Sequence, residues 1–190
     1  EKKKEEDPLI GRMIGSYKIY KMLGKGGMGA VYAAEHPAIG SKVAIKFLHE
    51  QYAKDKAIVT RFFNEAKAVN VINHDNIVKV IDYSYLDEKM PYFVMEMLGK
   101  GYELGKLAKE PLSLDVCGPI LLQVCDALTA AHGNNIIHRD LKPDNIFLAE
   151  RSGRKHFVKL MDFGIAKLSG GGESQGQTQT GMVMGTPHYM

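Results

Sequence analysis

Cysteine is nearly absent: Cys117 and Cys125 are the only two in 190 residues. They lie in a segment that reads as helix and face roughly the same way, but too far apart along the axis for a local disulfide. Neither has the neighbouring Cys or His of a zinc site, so both are expected to be buried structural thiols. No uninterrupted apolar run approaches the roughly 18 residues of a membrane span. The chain opens on the charged tract from Glu1 to Asp7, where a secretory signal would carry a short basic end and an apolar centre. The segment is therefore expected to be cytoplasmic and to make no membrane contact itself, with any anchor lying elsewhere in a longer parent. Net charge is also small: 25 Lys and Arg against 22 Asp and Glu give +3, too little to imply a nucleic-acid partner. What the chain does have is 45% hydrophobic residues, enough to bury a core as one domain or two small lobes.

The first half reads as strands around one helix. Tyr17 to Leu23, Ala30 to Glu35 and Lys42 to Leu48 are β-prone, separated by a glycine-rich turn and by the turn His36 to Ser41. From Lys54 to Val71 the residues Ile58, Phe62, Ala66 and Val69 recur at helical spacing. Ile77 to Tyr83 and Tyr92 to Met97 complete a five-stranded antiparallel sheet, with Asp87, Glu88 and Lys89 as the turn between them. Gly99 and Gly101 within Leu98 to Tyr102 mark a flexible connection. Beyond it, Leu104 to Ala108 reads as a short helix. Leu114 to His132 reads as a longer one, with Ile120, Leu121, Val124, Leu128 and Ala131 along one face. Short strands follow at Ile146 to Ala149 and His156 to Leu160, and Ser169 to Gly181 is polar enough to be exposed and mobile.

Chemistry concentrates in four blocks. Gly24-Lys25-Gly26-Gly27-Met28-Gly29-Ala30-Val31 lacks the side chains that would keep a backbone away from phosphate oxygens. Alone it fits a ligand-free tight turn as well as a phosphate cradle. A dinucleotide fold would follow the glycines with a helix, whereas Ala30 to Ala33 reads as strand. In Val43-Ala44-Ile45-Lys46 the lysine could reach α and β phosphates or be a solvated charge; Glu65 could orient it or be an ordinary surface carboxylate. His138-Arg139-Asp140-Leu141-Lys142-Pro143-Asp144-Asn145 is too dense in chargeable groups for a plain solvated loop. Asp140 suits acceptance of a hydroxyl proton, Lys142 suits offsetting phosphoryl charge, and Asn145 suits magnesium through its amide oxygen. Asp162, in Asp162-Phe163-Gly164, adds a second hard oxygen ligand.

With Gly185-Thr186-Pro187-His188-Tyr189-Met190 at the end, these blocks in this order resemble the eukaryotic-like, Hanks-type serine/threonine protein kinases, bacterial members in particular. The resemblance runs from Tyr17 to Met190 and stops before the Pro-Glu element of the activation segment. It implies a bilobal α+β fold: a charged extension over 1–16, an N-lobe over 17–98, and over 99–190 a hinge and an incomplete, mostly helical C-lobe with the activation segment. It implies ATP with Mg2+, or Mn2+ in its place, docked between the lobes. Leu23, Gly24, Lys25, Gly26, Gly27, Met28 and Gly29 would line the phosphate turn, and Val31, Ala44 and Phe147 the apolar slot for the ring. Met95 corresponds to the gatekeeper, Glu96 and Leu98 to the hinge backbone, and Val69, Val80, His138 and Phe163 to the stack that joins the lobes. Lys46, Glu65, Asp140 and Lys142 take the catalytic roles, with Asn145 and Asp162 on the metal.

Lys142 resembles the serine/threonine branch rather than the tyrosine branch. Arg139 resembles kinases switched by phosphorylation, for which Thr178 and Thr180 are the leading acceptors, Ser169 and Ser174 weaker ones, and Thr186 a residue needed unmodified. Protein Ser/Thr substrates, and a kinase dimer for trans-autophosphorylation, follow from the same resemblance. A nonenzymatic nucleotide-binding scaffold or regulatory fragment, and a small-molecule phosphotransferase of similar fold, are the competing readings.

Overall fold

The computed structural model describes residues 7–151 and 153–163. Strands β1 (Met13–Ile14), β2 (Tyr17–Lys25), β3 (Gly29–Glu35), β4 (Lys42–Leu48), β5 (Val80–Leu86) and β6 (Met90–Glu96) form one antiparallel sheet in the order β1-β2-β3-β4-β6-β5. The expected five strands are present, and the two-residue β1 makes a sixth. Contacts divide the chain into two units: one runs to Phe63 and takes in Val80–Met97, the other holds Asn64–Lys79 and the chain from Leu98 onward. The division falls inside α2 (Lys56–Ile72).

In the first unit, alternation along β4 sorts its side chains onto two faces. Val43, Ile45 and Phe47 join Leu9, Ile14, Ile19, Ala30, Tyr32, Ala34, Tyr92 and Val94 in one buried cluster. Full burial of a side chain such as Ile45 contributes about 1.5–3 kcal/mol. Ala44 and Lys46 therefore point to the opposite face, where Phe93 meets Phe62 of α2 with ring centroids 4.9 Å apart. The buried stripe of α2 is wider than the sequence pattern indicated: Val59, Phe62, Phe63, Ala66, Val69 and Ile72 are all buried, whereas Ile58 is only partly so. A short helix α1 (Glu50–Ala53) precedes it and was not anticipated.

The segment before Tyr17 is not a mere charged extension. Its described part is built into the sheet: Leu9 and Ile14 are buried, and the Asp7 carboxylate accepts from the Leu9 N–H at 2.9 Å and from the Tyr32 hydroxyl at 2.8 Å. Burial, reinforced by that neighbouring carboxylate, holds the Tyr32 phenol well above its ordinary range. Arg12 reaches the β5–β6 turn through a 3.0 Å ion pair with Asp87. Strand β5 starts later than expected, at Val80, because Ile77 and Val78 are spent elsewhere: Ile77 bridges Leu160, and the Val78 N–H donates to the Leu160 carbonyl.

The second unit is built on β7 (Gly101–Glu103), β8 (Ile146–Arg151) and β9 (Arg154–Leu160), with helices α3 (Leu104–Leu107) and α4 (Leu114–Gly133). The connection read as flexible is partly strand. Gly101 pairs with Ala149, and a Cβ there would lie 2.5 Å from the Phe147 ring, so this glycine serves close approach rather than mobility. On α4 the buried residues are Ile120, Val124, Ala127 and Ala131. Leu121, expected on that face, is turned out by one helical step and exposed, and Leu128 is half-buried. The same geometry corrects the cysteines: both are free, Cys117 half-buried and Cys125, next after the buried Val124, exposed. By length and composition α4 is long and apolar enough to cross a membrane.

Gln123 on α4 anchors β9. Its Oε1 accepts from the Val158 N–H at 3.0 Å and from the Asn76 amide at 3.1 Å, while its Nε2 donates to the His156 carbonyl at 3.0 Å. The end of β9, and hence the entry to Asp162, is thereby tied to the helix. Ser169 to Gly181, with Thr178 and Thr180, and the block from Gly185 to Met190 lie outside the described residues.

Candidate active site

The first unit contributes a glycine turn beside a lysine. Leu23, Gly24 and Lys25 end β2 and are exposed, as are Gly26, Gly27 and Met28 at the tip. The Gly26 N–H donates to the Gly29 carbonyl at 2.8 Å, leaving Gly27 and Met28 as a hairpin tip. Val31 of β3 stands opposite Lys46 of β4, and Ala44 opposite Met95 of β6. This register gathers Val31, Ala44, Lys46 and Met95 on neighbouring strands of one sheet. The Lys46 ammonium lies 5.5 Å from the Phe93 ring centroid, a favourable position for a cation over an aromatic face. Glu96 closes β6 opposite Val43, and Leu98 follows it, half-buried.

The second unit holds the densest arrangement. Asn145 ends the 3-10 turn Pro143–Asn145 and is buried. Its Nδ2 donates to the Asp140 main-chain carbonyl at 2.8 Å and to the Asp140 carboxylate at 3.2 Å. The amide is thus oriented by Asp140. Lys142 Nζ lies 3.6 Å from the Asp140 carboxylate. The Met161 N–H donates to the Asn145 carbonyl at 2.9 Å, which brings Asp162 next to this loop. Phe147, on β8 opposite Glu103, is half-buried. Glu65 is buried on α2.

His138 ties these pieces together. It is buried, its Nε2 donates to the Met161 carbonyl at 3.0 Å, and its ring stacks on Phe163 with centroids 4.5 Å apart. Nδ1 accepts from the Asp140 N–H at 3.4 Å, so both ring nitrogens are used by a neutral imidazole. Burial pushes its pKa down, against the opposing pull of the Met161 carbonyl and of Asp140 and Asp162. Arg139 and Asp162, neither a glycine, adopt φ of 62° and 50°. Such left-handed conformations are held only where surrounding structure over-determines them, and they cluster at functional sites.

The depressed His138 value has a consequence for stability. The stability this neutral imidazole contributes is complete above the ordinary titration of histidine, about pH 6.5, and is lost as pH falls through the lower folded-state value. Denaturant titrations between pH 7.5 and 5.5 should show the wild type losing stability on acidification more steeply than His138→Phe. Parallel pH profiles for the two would contradict this account of the buried ring.

In the second unit a carboxylate is braced by an amide and lies 3.6 Å from an ammonium, and in the first unit a glycine turn meets the end of the strand that carries Lys46; each is a residue group of the kind phosphoryl transfer uses. The protein kinase domain pattern matches residues 17–190, and the chain belongs to that family, with its α+β fold of an N-lobe sheet plus helix and a C-lobe. Serine/threonine-protein kinase Pkn1 of Myxococcus xanthus is 49% identical over 185 residues, covering 97% of this chain and 26% of its own length. Serine/threonine-protein kinase PknH of Mycobacterium tuberculosis is 35% identical over 187 residues, covering 97% of this chain and 28% of itself. The crystal structure of the Mycobacterium tuberculosis PknI kinase domain superposes with a TM-score of 0.65 at 28% identity, over 82% of this chain and 62% of that one. The chain thus spans about a quarter of the length of the curated relatives it matches. Use of ATP and a divalent cation is typical of this family.

Among the described residues no group of three or more His, Cys, Asp and Glu could hold a metal. Magnesium makes no such demand: it takes one or two protein oxygens and completes its shell with phosphates and water. Asn145 and Asp162 fit that pattern. Met161 contributes only main-chain groups, its N–H to Asn145 and its carbonyl to His138, which no side-chain pattern announces.

Proposed function

We propose that the protein transfers the γ-phosphoryl group of ATP to Ser and Thr hydroxyls of protein substrates. The observation that carries this is the cluster of Asp140, Lys142 and Asn145, with Asp140 bonded to Asn145 and 3.6 Å from Lys142. When bound, ATP supplies the phosphoryl group, and Mg2+, with Mn2+ as its substitute, neutralises phosphate charge. Asn145 Oδ1 and the Asp162 carboxylate would hold that cation. Asp140 orients the acceptor hydroxyl and takes its proton, and Lys142 offsets charge on the phosphoryl oxygens. Lys46, with Glu65 as its proposed counter-charge, and the turn from Leu23 through Gly24, Lys25, Gly26, Gly27 and Met28 to Gly29 would hold the phosphates. Val31, Ala44 and Phe147 are the residues that would line the adenine slot, and Met95, Glu96 and Leu98 those that would read the edge of the ring. The requirement for ATP supports a cytoplasmic setting for this segment.

The acceptor class is tested by incubating the full-length protein with γ-labelled ATP, magnesium and, in parallel, a generic protein, an aminoglycoside and choline. Label on the protein alone supports the proposal; label on a small molecule instead would transfer the site to a small-molecule phosphotransferase.

Regulation follows from the same site. Thr178 and Thr180 are proposed as the principal autophosphorylation sites, filled in trans within a kinase dimer. Arg139, exposed beside Asp140, is the cation against which a phosphothreonine would order the segment. Site-resolved mass spectrometry after incubation with ATP and magnesium should find phosphate on these threonines, and Thr178→Ala with Thr180→Ala should lower the initial rate. Phosphate confined to Ser169 or Ser174, or a dephosphorylated double variant as fast as the phosphorylated wild type, would reject the switch.

A further inference from the structure

We propose that His49, which follows the last residue of β4, is a positioning residue for the phosphate-binding turn. The inference rests on the nucleotide reading above and adds to it a residue outside the glycine and lysine blocks. Two hydrogen bonds run from His49 to the turn: its backbone N–H donates to the Met28 carbonyl at 2.9 Å, and its Nε2 lies 2.9 Å from the Gly26 carbonyl. A carbonyl only accepts, so Nε2 carries the proton and donates.

Peptide planarity converts these bonds into a constraint on the ligand side of the turn. In a trans peptide the carbonyl and the following N–H point in opposite directions. Holding the Gly26 carbonyl toward His49 therefore aims the Gly27 N–H away from it, and holding the Met28 carbonyl fixes the Met28–Gly29 plane. The turn needs such a tie. Its own closure is the single Gly26 to Gly29 bond, and glycine backbone costs more entropy to order than any other.

The strand geometry places His49 to do this. Gly29 lies so close to β4 that a Cβ on it would collide with the Phe47 carbonyl oxygen, so this glycine draws the turn down onto the end of β4. Lys46 belongs to the same strand. The cation and the turn that would share one triphosphate are thus held in register through a single stretch of backbone.

The test is equilibrium binding of ATP with magnesium, and separately of adenosine, to full-length wild type, His49→Ala, His49→Asn and His49→Gln. Adenosine has no phosphates and reports whether each variant retains its folded ring-binding site. Losing one hydrogen bond should weaken ATP by roughly 3- to 10-fold in the Ala variant while leaving adenosine within about 2-fold. Asn, too short to reach Gly26, should behave like Ala; Gln, whose amide reaches further, should restore most of the ATP affinity. Unchanged ATP binding in both Ala and Asn, equal losses for ATP and adenosine, or no recovery with Gln would overturn the role of His49. Wild type that fails to bind ATP at all would instead overturn the nucleotide reading, and the inference with it.

Discussion

Asp140→Asn should lower kcat for phosphoryl transfer by roughly 100- to 10,000-fold, the range attached to a positioned general acid or base, while nucleotide affinity changes little. The substitution keeps size and shape but removes the charge and the proton-accepting oxygen. In the wild type the Asp140 carboxylate is engaged by Asn145 and lies near Lys142, so its position is set before any substrate arrives. The proposed contact is with the acceptor hydroxyl rather than with adenine or phosphate, so the loss belongs to the transition state and should fall on kcat. Initial rates at saturating ATP and peptide, with phosphorylation states matched, measure it. Equal rates for wild type and variant would remove Asp140 from the chemistry.

Lys46→Met should cost activity through a different route, by roughly 100- to 1,000-fold if its ammonium acts as a preorganised charge on the phosphates. Methionine keeps an unbranched stem of similar length and loses only the charged head. The site already prepares that head: Lys46 stands on the sheet face opposite Ile45 and Phe47, beside Phe93. Rates and ATP binding should both suffer, in contrast to Asp140→Asn. If the variant kept near-normal rates, Lys46 would be an ordinary strand lysine.

The parts legible in the sequence were those written in local chemistry. β4 begins and ends at the residues read from Val43-Ala44-Ile45-Lys46 and its flanks, because its alternation and β-branched side chains are local signals. The clustering of Asp140, Lys142 and Asn145 was likewise readable, since these groups are near neighbours in the chain. What stayed hidden depended on distant partners. Strand β1 has two residues, too few for any period to show, and its role emerges only from pairing with β2. Ile77 and Val78 looked like the start of a strand because they are apolar, but their burial is against Leu160. Gly101 carried the composition of a flexible joint, yet its missing side chain makes room for Phe147. Arg139 gives no sequence hint of its left-handed backbone, since side-chain type normally assigns that region to glycine, asparagine, aspartate or histidine.

The most direct test of the central claim is site-resolved phosphate transfer by the full-length protein, read by mass spectrometry on a protein acceptor with ATP and magnesium, with ATP and chelator, and with Asp140→Asn. Phosphoserine or phosphothreonine should appear only with wild type and cation, and both other conditions should leave the acceptor unmodified. A folded, ATP-binding wild type that leaves every Ser and Thr unmodified in the presence of magnesium, or that places phosphate on tyrosine alone, would contradict it.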